Sequence, residues 1–176
     1  GISWDEEVLV SDHLPKFYDY ARKLIEIKKA FVCACRAEDV KSLREKKTAC
    51  ACRKHAVKKN LSEWDAMLAR KFKEGERTVR LVGDMKSNNG VMRDPIMLRL
   101  SYAKHFRQHD KYGVWPMYDF ENAIEDGLRI THVIRSKEFE PRAELHEFIR
   151  KLLSLTNPTV REIGRYQIEG ATTQGR

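Results

Sequence analysis

Residues 115–135 read WPMYDFENAIEDGLRITHVIR. Trp115, Tyr118 and Phe120 crowd around Pro116 and Asp119. Asp119 is an N-cap residue type and Phe120 suits a hydrophobic staple, so a helix is expected from Phe120 to Leu128. The β-branched run ITHVIR then reads as a strand. Tyr118 and Asn122 stand one helical turn apart, which puts both side chains on one face. A helix feeding directly into a strand is the repeating unit of a parallel α/β layer.

Downstream, RAELHEFIRKLL is a second helical pattern, followed by a Ser-Leu-Thr-Asn-Pro break and a strand expected around GRYQIEG. Upstream, SDHLPKFYDYARKLIEIKKA offers Ser11 and Asp12 as caps, with Leu14, Phe17, Tyr18, Ala21, Leu24 and Ile25 on one face until Lys28 ends the stripe. FVCAC reads as a short strand or turn and AEDVKSLREKK as a short helix. VKKNLSEWDAMLARKF is a longer helix with Val57, Leu61, Trp64, Leu68 and Phe72 on its stripe. RTVRLV and PIMLRL are strand-like around the NNG turn at Asn88 to Gly90, and YAKHFRQHDKYG is a polar loop. The expected fold class is α/β. Residues 1–30 and 116–176 are pieces of one sheet, and residues 31–115 an inserted lobe of helices and short antiparallel strands.

The 176 residues, 41% hydrophobic and 34% charged, describe a globular chain with no apolar run long enough to span a bilayer. GISWDEE has no basic start before an apolar run, so no signal peptide is read there, and a cytoplasmic, membrane-free protein is expected. An opening on Gly1 suggests a processed product or a piece of something longer. Lysine and arginine number 34 against 26 acids, a formal charge of +8 that suits a polyanionic partner as well as a merely basic surface.

All four cysteines fall in two matched pairs, Cys33-Ala34-Cys35 and Cys50-Ala51-Cys52. Two close pairs of thiolates suit the tetrahedral sulfur shell of a structural Zn2+, although one residue between partners is tighter than the usual two to four. His55 stands by as a substitute ligand. The alternative is four small apolar side chains, since free cysteine is often buried. The other histidines show no metal spacing, and His132 is expected to be packed in its strand. Glu125 and Asp126 read as solvated carboxylates. Lys104, His105, Arg107, His109 and Lys111 alternate with Tyr102, Phe106 and Tyr112, which suits either single-stranded nucleic acid or a solvated loop.

Several ordered motifs carry a family resemblance along nearly the whole chain. PMYDFENAIEDGLRITHVIRSKEF resembles the second half of the catalytic domain of archaeal-type glutamyl- and glutaminyl-tRNA synthetases. GISWDEEVLVSDHLPKFYDYARKLIEIKKAFVC is similar to the stretch ahead of that family's acceptor-stem insertion. CACR at Cys50 to Arg53 falls where relatives carry CPHR. AVKKNLSEW matches the helix that follows, and GRYQIEGATTQGR the strand entering the KMSKS-type loop. The resemblance implies a class I Rossmann fold interrupted by a lobe that grips the tRNA acceptor stem. It also implies a monomer that uses ATP with Mg2+ to form glutamyl-adenylate and passes the acyl group to tRNA. By resemblance Tyr118, Asn122 and Arg135 bind glutamate, while Glu138, Phe139, Arg165 and Tyr166 bind ATP. The planar fork of Arg135 suits a carboxylate. Histidine often replaces Asn122 in glutaminyl enzymes, so a glutaminyl enzyme is the near alternative and a non-catalytic zinc-stabilised tRNA-binding module the distant one.

The departures shape the expectation. No HxGH occurs in the 176 residues, and Arg176 lies near the KMSKS position without its lysine. No catalytic residue is assigned, and this polypeptide alone is expected not to activate glutamate. Arg129 stands where relatives often carry the glycine of a GITH-type turn, and Pro141 where glutaminyl relatives often place an aspartate.

Overall fold

The computed structural model describes Gly1 and residues 3–164. Five helices and six strands follow one another in the order α1 (Leu14–Glu26), β1 (Ala30–Cys33), α2 (Ala37–Glu45), α3 (Val57–Leu68), β2 (Thr78–Leu81), β3 (Ile96–Leu100), β4 (Val114–Pro116), α4 (Tyr118–Arg129), β5 (His132–Ser136), α5 (Glu140–Leu153) and β6 (Thr159–Ile163). Strands β1-β2-β3-β4 form an antiparallel sheet in that order, and β5 and β6 form a parallel pair. The parallel pair is joined through α5, as a parallel crossover requires. Strand β6 ends just ahead of GRYQIEG. Except for Gly164 that expected strand lies outside the described residues, as do Arg165, Tyr166 and Arg176.

The alternation of side chains along β1 divides the interior in two. Ala30 and Val32 join a large cluster built on Phe17, Trp64, Leu98, Phe120 and Ile149, while Phe31 and Cys33 face a small one with Val40, Cys50 and Cys52. Strand β2 repeats the rule: Val79 and Leu81 enter the large cluster, and Arg80 points to the small one. A bulge pairs Val79 with Leu98 but Arg80 with Ile96, so Met97 is the extra residue that bends β3. The three sequence segments 1–30, 31–115 and 116–176 all contribute to the large cluster.

Several local expectations need correcting. Helix α1 is entered through a 3-10 turn at Val10–His13. His13 occupies the N-cap position and no side chain caps it, so neither Ser11 nor Asp12 does so. Helix α4 begins at Tyr118 with Met117 at the cap, because the carboxylate of Asp119 is drawn to partners on α5 instead. The buried face of α3 is Asn60, Trp64 and Met67, while Leu68 is 37% exposed. The stripe is rotated because Asn60 has work at the sheet edge: its Oδ1 accepts from the Val32 amide at 3.0 Å and its Nδ2 donates to the His55 carbonyl at 3.1 Å. Among the described residues no helix is long and apolar enough to cross a membrane.

Candidate functional site

Helix α4, strand β5 and helix α5 bring the expected glutamate residues into one patch. Gly127 sets how closely they pack, since a Cβ there would stand 2.9 Å from Leu155 Cβ and 3.0 Å from Arg150 Cδ. Asn122 Nδ2 donates to the Tyr118 carbonyl at 3.1 Å, the one-turn relation that the spacing implies. Arg135, on β5, reaches back so that Nη2 donates to Asn122 Oδ1 at 3.4 Å and also to Asp126 Oδ2. The Tyr118 ring, 37% exposed, lies 5.5 Å from the Phe139 ring and 5.9 Å from that of His146. Glu138 is exposed in the 3-10 turn that also carries Phe139.

The residue holding this patch together was not singled out from sequence. His146, on α5 and 1% exposed, stands between Asp119 and Arg135. Arg135 Nη1 approaches its Nδ1 at 2.7 Å, and Asp119 Oδ1 lies 2.9 Å from its Nε2. A guanidinium can only donate, so Nδ1 accepts and Nε2 carries the hydrogen to Asp119. Asp119 Oδ2 also accepts from Arg142 Nη1 at 2.5 Å, and the Arg142 guanidinium sits 5.5 Å from the Tyr118 ring centre. The result is one chain of contacts, Asp126–Arg135–His146–Asp119–Arg142. The only advance signal was that Arg142 and His146 are four apart on one helix face.

Two expectations are corrected here. Asp126 pairs with Arg135 and Glu125 with His13 at 2.8 Å, all with side chains under 20% exposed, so these carboxylates are not simply solvated. His132 is exposed rather than packed, because its position on β5 faces away from the helices. The Arg135 guanidinium is already shared among Asp126, Asn122 and His146, so any ligand carboxylate there would meet a preset but partly neutralised group. A small hollow beside it is lined by Arg135, Phe139, His146, Arg150 and Glu162.

Burial raises the Asp119 carboxyl, but the bonds from His146 and Arg142 more than offset this and hold it below the usual carboxylate range. A depressed carboxyl adds stability that is present above its unfolded value, near pH ~4, and lost as pH falls through the folded value. Asp119→Asn should therefore cost about 1–3 kcal/mol at neutral pH and flatten the acid limb of stability. Urea unfolding from neutral pH down to pH ~3 reads both. An acid limb as steep as wild type would remove Asp119 from that role.

The four cysteines form the second candidate site. Their Sγ atoms all lie within 4.8 Å of one another, with Cys33–Cys50 at 3.8 Å and Cys35–Cys52 at 3.9 Å. A tetrahedron with metal–sulfur bonds of ~2.3 Å has sulfur–sulfur edges of about 3.8 Å, so the donor set fits zinc. The site is complete in sulfur, and His55 is not among the gathered ligand atoms. Burial pushes the Cys33 and Cys35 thiols up. Burial also raises Cys52, but the Ala34 backbone and the neighbouring thiols more than reverse it, leaving that thiol below its ordinary value.

Between α2 and strands β2 and β3 runs a groove of about 990 Å³, with Cys35, Thr78, Ile96 and Leu100 among its lining. Lys41, Arg44, Arg77, Arg93 and Arg99 line it against two carboxylates, Glu45 and Glu74. His105 of the 102–113 loop stacks on Trp115 of β4 at a centroid spacing of 4.9 Å, and Phe106 continues the row at 4.7 Å and 82% exposure.

Comparison with known proteins gives a consistent set of matches. Residues 1–174 match the family described as tRNA synthetases class I (E and Q), catalytic domain. The chain is 42% identical over 168 residues to a glutamate–tRNA ligase of Korarchaeum cryptofilum, covering 95% of the chain and 30% of that protein. It is 43% identical over 171 residues to one from Nitrosopumilus maritimus, covering 97% of the chain and 30% of that protein. The chain thus spans about a third of the length of these curated relatives. Among solved structures, a glutamate tRNA ligase from Elizabethkingia meningosepticum superposes with a TM-score of 0.54 at 18% identity, over 92% of this chain and 34% of that one, a likeness of fold.

Proposed function

The chain belongs to the family of class I (E and Q) tRNA synthetase catalytic domains, and on that footing we propose that it is the glutamate-binding and acceptor-gripping part of a glutamate–tRNA ligase. The intact enzyme activates glutamate with ATP and Mg2+ to glutamyl-adenylate and transfers the acyl group to the 3' end of tRNA. The observation that supports this reading is the grouping of three side chains: Arg135 donates to Asn122, and the Tyr118 ring packs on His146, which Arg135 also contacts. Asp126 and His146 hold the Arg135 fork before substrate arrives, and a preset fork loses little freedom on binding. Phe139 beside Tyr118 supports the adenylate side of the pocket together with Glu138, and Arg165 and Tyr166 belong to the ATP side by resemblance alone. Asn122 and the similarity to archaeal glutamate–tRNA ligases favour glutamate over glutamine.

Residues 31–115 are the acceptor-binding insertion in this reading, and 1–30 and 116–176 are Rossmann portions. The basic groove and the Trp115–His105–Phe106 stack suit phosphates and an unpaired 3' end. Zinc held by Cys33, Cys35, Cys50 and Cys52 is structural here: four sulfurs leave no open position for a reacting ligand. A cytoplasmic monomer is proposed on the family resemblance alone.

Glutamate-dependent pyrophosphate exchange by the full-length enzyme tests the pocket. Asn122→Ala should raise the KM for glutamate roughly 10- to 100-fold, the weight of one or two hydrogen bonds to a charged group, and leave the KM for ATP unchanged. Asn122→His should shift preference toward glutamine. An unchanged glutamate KM in the alanine variant would remove Asn122 from the site.

A further inference from the structure

Arg80 is 1% exposed and sits on the face of β2 that looks into the cysteine cluster. Its Nε donates to the Asp94 carbonyl at 2.9 Å. Its Nη1 lies 3.4 Å from Cys50 Sγ and 3.6 Å from Cys33 Sγ, and its guanidinium stands 5.5 Å from the Phe31 ring centre. The Asp94 carboxylate pairs with Arg53 at 3.0 Å and acts on Arg80 only through space, so among the described residues Arg80 has no contacting carboxylate. A buried guanidinium without a carboxylate is expensive unless another negative charge stands beside it. Four neutral thiols do not supply one. Four thiolates around a divalent metal carry a net charge of two minus in a dry pocket, and Arg80 aims two contacts at that charge.

We propose that Arg80 is the outer-shell partner of the tetrathiolate site, donating from Nη1 to the sulfurs of Cys33 and Cys50, neutralising half of the loaded cluster's charge and retaining its metal. This rests on the zinc reading of the four cysteines. Arg80 touches no metal; it acts by positioning the two sulfurs and by reducing their charge. Through Nε it also ties the cluster to the segment ending at Asp94, whose residues Gly90, Val91 and Arg93 line the basic groove.

Zinc content and competition with a colorimetric chelator, on reduced protein, test both layers separately. The wild-type chain should hold one zinc per four cysteines; no zinc with all four thiols free would refute the metal reading itself. Given a loaded wild type, Arg80→Gln should weaken zinc retention roughly 10- to 100-fold, as loss of an outer-shell partner does. Val79→Ala, on the opposite face of the same strand, should leave zinc affinity unchanged although it thins the large core. Zinc affinity within twofold of wild type in Arg80→Gln, or an equal loss in Val79→Ala, overturns the role of Arg80. The wild type covers the case of a variant that does not fold: loaded with a spin-active cadmium isotope, it should show Arg80 Nη protons that exchange slowly and couple to the metal. Absence of that coupling also overturns the proposal.

Discussion

With the four-cysteine cluster loaded as proposed, stripping the zinc under reducing conditions should collapse the segment from Ala30 to His55 while much of the large core survives. The small cluster holds only Phe31, Cys33, Val40, Cys50 and Cys52 as buried members. Five side chains, three of them cysteines, bury too little apolar surface to offset the ordering of the chain around them. A structural zinc contributes about 10–16 kcal/mol of apparent binding free energy, against a usual domain stability of about 5–15 kcal/mol. Even at free zinc only ~1,000-fold above its dissociation constant, linkage supplies about 4 kcal/mol. Chelation should thus lower the melting temperature by many degrees, and lost amide protection should concentrate on β1, α2 and the Ala51–Lys54 turn. Helix α1 and helix α5 pack in the large cluster and should keep much of theirs. Re-addition of zinc should restore both signals. Chelation that leaves stability and protection unmoved in a zinc-loaded sample would show that the thiols hold the segment as apolar groups.

What could be read in advance, and what could not, divides along a physical line. Apolar periodicity marked α1 through Phe17, Ala21, Leu24 and Ile25, all buried, and the cysteine pairing marked residues whose sulfurs do gather. The one-turn relation of Tyr118 and Asn122 was likewise local and therefore legible. Buried polar residues defeated the same reasoning. Asn60 rotates the face of α3 because a strand amide 28 positions earlier needs an acceptor. His146 joins Asp119 to Arg135 across three elements, and Arg80 finds its sulfurs 30 and 47 positions away. A polar side chain is buried only when its partners are present. Those partners are fixed by tertiary contact, so no window of sequence contains them.

Asp94→Ala should cost about 3 kcal/mol, because it removes a buried carboxylate and leaves the Gly83 amide and Arg53 without their acceptor. Asp94 is fully buried, with its backbone in the left-handed region at φ 42°. Its Oδ1 accepts from Arg53 Nη1 at 3.0 Å and from the Gly83 amide at 2.9 Å. Arg53 in turn donates to the Gly83 carbonyl at 3.1 Å. Gly83 admits no side chain, since a Cβ there would fall 2.0 Å from the Met92 carbonyl oxygen. The Asp94 carboxylate on Gly83 is thus the buried side-chain closure of the loop from Val82 to Pro95, beside the Leu81–Pro95 backbone bond, and the Asp94 carbonyl also anchors Arg80. Alanine would lose both acceptor contacts and tolerate the left-handed backbone poorly, whereas Asp94→Asn keeps a short polar side chain suited to that backbone and should cost about 1–3 kcal/mol. The pH dependence separates this carboxylate from Asp119. Burial pushes the Asp94 carboxyl above its ordinary value despite Gly83, Arg53 and Arg80. A raised carboxyl contributes stability that is fully present below the unfolded value and lost as pH rises through the folded one. Between pH ~3 and neutrality the gap between wild type and Asp94→Asn should therefore narrow as pH rises above ~4, while the gap for Asp119→Asn opens as pH rises toward ~4 and then holds. Denaturant unfolding of both variants across that range checks the pair of signs, and an alanine variant within ~1 kcal/mol of wild type would show that the loop closes without Asp94.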